Sequence, residues 1–190
     1  MAILSNAAKS EEESASSLII HTLAVILRLG LLDSEFWECV AASQVFREVC
    51  RSLVLFDKRK QVRSLAIKMI QEFADSEEER LDMHPDQTDL RGVAQHRIAR
   101  YFWALGLDLM PETAKDPNQC YEIFSLLHSL MRRVFAKHDD LVDLHSLAVR
   151  TSELLMSHES TEVSTKFAVI MQMQTQMLKI LLGYQPGGTF

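Results

Sequence analysis

The sequence predicts an all-α chain, and three observations carry the prediction. Gly and Pro are scarce, 6 and 4 among 190 residues, where average usage gives roughly 23 of the two together. Antiparallel β architectures need a turn residue every ~8–12 positions, so an all-β fold is excluded and an α/β sheet disfavoured. Leu, Ala, Met, Gln, Glu, Lys and Arg, the good helix formers, dominate the chain. Apolar residues recur at the i, i+3, i+4, i+7 spacing of a helix face. With 47% apolar and 24% charged residues the chain is globular rather than disordered, and its length fits one domain, 1–190.

Each element follows from local signals. Ser10 with Glu13 fits a capping box opening the first helix, and Gly30 fits its C′ position. The run Leu18–Leu32 is apolar on most sides, the mark of a helix buried between neighbours. It is shorter than the ~20 residues of a membrane span. Ser34 can cap a second helix carrying Phe36, Trp37 and Val40. Ser43 can start a third, with Val45, Phe46, Val49, Cys50, Leu53 and Leu55 as its inward stripe. Residues 57–60 read as a polar turn. From Gln61, the residues Val62, Leu65, Ala66, Met69, Ile70 and Phe73 keep helical spacing.

The segment 75–89, DSEEERLDMHPDQTD, has little apolar periodicity and predicts an acidic loop between sub-blocks 10–74 and 90–183. A helix from near Leu90 reaches Met110 and ends at Pro111. Pro117 suits the first turn of the next, which carries Cys120, Ile123, Phe124, Leu127, Leu130, Met131 and Val134. A further helix covers about 140–158. A last one, capped by Thr161, runs from Glu162 to Leu182 and is closed by Gly183 and Pro186. In its sequence KFAVIMQMQTQMLKILL, Met171, Met173 and Met177 read as core packing, with a docking face as the alternative. The total is about seven or eight helices. Two arrangements bury such faces: an α-solenoid of stacked hairpins, or a closed helical bundle.

One segment favours the solenoid. LVLFDKRKQVRSLAIKMIQEF, residues 53–73, resembles the HEAT repeat: an apolar helix, Asp57, four residues, Val62-Arg63, two residues, Ala66. Asp57 can close the turn and accept from N–H groups opening the next helix. Arg63 can reach an acid or carbonyl of a stacked neighbour, and Ala66 leaves room for close helix approach. The wider chain resembles the armadillo-like helical region of the large ubiquitin-specific proteases. The resemblance rests on that segment and on YFWALGLDLMPETAKDPNQCYEIFSLLHSLMRRV, residues 101–134. It implies a non-catalytic scaffold within a ubiquitin carboxyl-terminal hydrolase, a cysteine-type deubiquitinase, with protein partners in the ubiquitin pathway. That family's Gly-rich nucleophile box finds only a local echo in Asn118-Gln119-Cys120-Tyr121, which lacks glycine, so no catalysis is carried onto Cys120.

The remaining candidates are set against plainer roles. Asp139, Asp140 and Asp143 form a DDLVD sequence of the kind that binds Mg²⁺ and a diphosphate on a synthase helix. Residues 144–190 contain no Asp to supply a second acidic motif, and a helix first turn favours carboxylates in any case. His138-Asp139 with His96 outlines a helical metal-dependent phosphohydrolase, again lacking a downstream Asp. This metal-dependent hydrolase or synthase is the alternative to the scaffold. The sequence holds no G-x-S-x-G and no Gly-rich phosphate loop. Lys58, Arg59, Lys60 and Arg63 form a basic cluster, joined by Lys68, Arg47 and Arg51, that can contact a partner protein. No aromatic residue interleaves with it, and the net charge is −6, so neither a nucleic-acid nor a membrane partner is expected. No cofactor and no small-molecule substrate are expected either. Three cysteines without a CxxC pair, Cys39, Cys50 and Cys120, read as buried free thiols in a reducing compartment. The N-terminus puts three glutamates before the first apolar run, unlike a secretory signal. An intracellular location, cytoplasmic or nuclear, is expected.

Overall fold

The protein is all-helical, and no strand occurs among the described residues. The computed structural model describes residues 2–51, 60–75, 85–113, 116–135, 149–151, 153 and 165–183. Two compact units divide the chain. The first comprises Met1–Phe73 with Arg80–Ala94, the second Ala74–Glu79 with Gln95–Phe190.

The first unit opens on α1 (Ala2–Leu32), followed by α2 (Ser34–Ala42), α3 (Gln44–Val49) and α4 (Lys60–Asp75). α1 runs through both of its expected boundaries. Ser10 lies inside the helix rather than capping it, because the glutamates that mimic a capping box are also good helix formers. Gly30 lies inside as well, and its role is a tertiary one: a Cβ there would sit 2.8 Å from Trp37 Cε3. The missing side chain lets α2 close onto α1. The cap of α2 is Asp33, not Ser34. Its extended backbone and its Oδ1, which accepts from the Phe36 N–H at 3.0 Å, satisfy an otherwise orphan donor.

Ser43 does start α3, accepting from the Phe46 N–H at 3.3 Å. Trp37 of α2 meets Phe46 of α3 edge to face, with centroids 6.2 Å apart. Phe46 and Cys50 are buried, but Val45 faces outward and Val49 is half-buried. In α4 the buried face is Val62, Arg63, Ala66, Ile67 and Ile70. Leu65, expected inside, is 56% exposed, because the face centres on Ala66 and Ile70 and turns position 65 away.

The second unit contains most of α5 (Pro85–Thr113), together with α6 (Pro117–Val134) and α7 (Thr165–Gly183). α5 begins earlier than expected, at Pro85, whose fixed φ suits a helix start. Residues 85–89 of the expected acidic loop are therefore helical, and 76–84 lie outside the described residues. Pro111 falls inside the last turn of α5, where its missing N–H costs one bond and the helix persists to Thr113. The Thr113 hydroxyl then donates to the Met110 carbonyl at 2.8 Å.

Asp116 caps α6, accepting from the N–H groups of Asn118 and Gln119 at 2.9 and 3.4 Å, with Pro117 opening the helix. The seven residues expected on the inner face of α6 are all buried, Cys120 to Val134, and Leu126 joins them. α5 and α6 form an antiparallel hairpin. Gly106 faces Ile123 and Leu127, while His96, ten residues earlier, reaches the backbone of Arg133. α7 packs on α6 and buries Ile170, Gln174 and Met177. Met171 is exposed and Met173 half-buried, so the methionines divide between core and surface. The start expected at Thr161 and the tail 184–190 lie outside the described residues, as does most of the helix expected over 140–158. Of that helix, residues 149–151 are helical.

Candidate functional site

Lys60, Arg63 and Lys68 of the basic cluster and Val62, Arg63 and Ala66 of the repeat signature share α4. Lys60 is exposed at its first position, while Asp57, Lys58 and Arg59 lie outside the described residues. Val62 and Ala66 are buried, and Arg63 is buried too, at 5% exposure. A guanidinium at that depth is held by interactions of the chain itself, since an unpaired buried charge is strongly unfavourable. Lys60 is thus the member of the partner-contact set that the described surface displays. Lys68 is exposed and pairs with Glu72 at 3.7 Å along the helix, a contact of small energetic weight.

The chemistry-bearing side chains of the second unit are built into its packing. His96 of α5 donates from Nδ1 to the Arg133 carbonyl of α6 at 2.7 Å, which fixes the ring's orientation across the hairpin. Its proposed metal partners His138, Asp139, Asp140 and Asp143 lie outside the described residues. Trp103 is fully buried, meets Phe135 edge to face at 5.4 Å, and donates from Nε1 to Thr151 Oγ1 at 3.3 Å. Arg150 pairs with Asp108 beside it, so residues 149–151 are tied to α5 twice.

The cysteines differ from expectation at one position. Cys50 and Cys120 are buried and free, whereas Cys39 is free but exposed on α2. Trp37 supplies the inward position of that short helix and leaves Cys39 on the outer side. Burial pushes the Cys50 thiol up to about 12. Cys120 is pushed up to about 11, chiefly by burial, with Asp116 adding to the rise and a hydrogen bond with Thr113 opposing it. Both stay protonated near neutrality, unlike a catalytic thiolate, which needs a lowered pKa.

Sequence reasoning missed one apolar feature of the described surface. Leu18, Val25, Leu29 and Leu32 are exposed along α1, Leu32 at 82%. Their spacing, combined with Thr22, alternates four and three residues, a signal readable in the sequence. By composition the run gives only a helix apolar on most sides. Trp103–Thr151 and Asp108–Arg150 were also missed, and contacts across more than forty residues leave no local signal.

Among the described residues no group of three His, Cys, Asp or Glu side chains is placed to hold a metal ion. No helix among them is long and apolar enough to cross a membrane. Comparison with protein-family models, with curated proteins and with solved structures finds no match.

Proposed function

We propose that the chain is a non-catalytic protein–protein interaction scaffold, of the helical-repeat kind that flanks the catalytic domain in large ubiquitin-specific proteases. The observation that carries this reading is the exposed apolar stripe on α1. A helix that buries Leu23 and Leu27 on one side and leaves four large aliphatic side chains in water on the other has a face suited to a protein partner. The antiparallel α5–α6 hairpin supports a repeat architecture, since such hairpins are the unit that an α-solenoid stacks. The protonated, buried Cys120 supports a role without cysteine catalysis. The same reading puts the chain in a reducing intracellular compartment, with ubiquitin-pathway proteins as partners and exposed Lys60 among the residues that contact them.

Two measurements on the full chain test it. Titration with mono-ubiquitin, linked di-ubiquitin and the catalytic domain of a ubiquitin-specific protease is expected to give saturable binding for at least one of them. Hydrolysis of a fluorogenic ubiquitin C-terminal amide by the chain alone is expected to be absent. Turnover that disappears in Cys120→Ala overturns the non-catalytic assignment, and failure of all three titrations overturns the ubiquitin-pathway one.

A further inference from the structure

We draw no further inference here: the strongest candidate, the outward apolar face of α1 formed by Leu18, Val25, Leu29 and Leu32, carries nothing because nothing in the structure shows what covers it.

Discussion

Gly30 of α1 and Trp37 of α2 meet so closely that a Cβ on the glycine would lie 2.8 Å from the indole Cε3. The contact explains why a residue that weakens helices by about 1 kcal/mol stands inside one. It sets the approach of α2, and through the edge-to-face Trp37–Phe46 pair it positions α3 as well. Gly30→Ala gains helix propensity but drives a methyl into a rigid ring. Overpacking of that kind costs about 1–3 kcal/mol, so a net loss of about 1 kcal/mol is expected in the denaturant midpoint. Gly106→Ala is the control. Its Cβ would meet Leu127 Cδ2 at 2.9 Å, the end of a flexible side chain that can change rotamer. It is expected to cost clearly less than Gly30→Ala.

Thr151 anchors residues 149–151 to α5 through the Trp103 indole. Thr151→Val keeps the shape and removes the acceptor, leaving a fully buried N–H to seek another partner. A loss of about 1–3 kcal/mol is expected, read from thermal or denaturant unfolding. The intrinsic fluorescence of folded Thr151→Val should also shift, since the indole is one of 2 in the chain.

The three thiols should separate kinetically. At pH 8 a disulfide-exchange reagent is expected to titrate one thiol quickly, and Cys39→Ser should abolish that phase. Cys50 and Cys120 should react only after denaturation. The linkage follows from the raised values. A thiol with an ordinary pKa of 9.0 in the unfolded chain and about 12 when folded costs no stability below pH 9. Above pH 9 the unfolded state loses the proton first, so stability falls as pH rises toward 12. Cys50→Ala is expected to flatten that alkaline slope even if it lowers stability at neutral pH through the cavity it leaves.

These contacts also mark what the sequence could and could not disclose. α6 was legible throughout, because Pro117 announces its start and its apolar residues repeat at 3.6. α1 was legible as a helix but not in its bounds. Ser10 with Glu13 satisfies a local capping rule that a long helix overrides, and the purpose of Gly30 depends on a tryptophan in the next element. In α4 the period was right and the face was rotated: Leu65 points out while Ile67 and Arg63 point in. An arginine at such a depth defies any hydropathy rule. The outward stripe of α1 was present as a heptad spacing, yet hidden by the equally apolar face opposite it.

If the chain binds proteins rather than transforming a substrate, calorimetric titration with Mg²⁺ and Mn²⁺ is the decisive measurement. The alternative, a metal-dependent hydrolase or synthase, requires Asp139 and Asp140 as ligands with His138, Asp143 and His96. The scaffold account predicts no saturable heat and the same thermal midpoint with and without either ion. Saturable binding that Asp139→Asn/Asp140→Asn abolishes would contradict it.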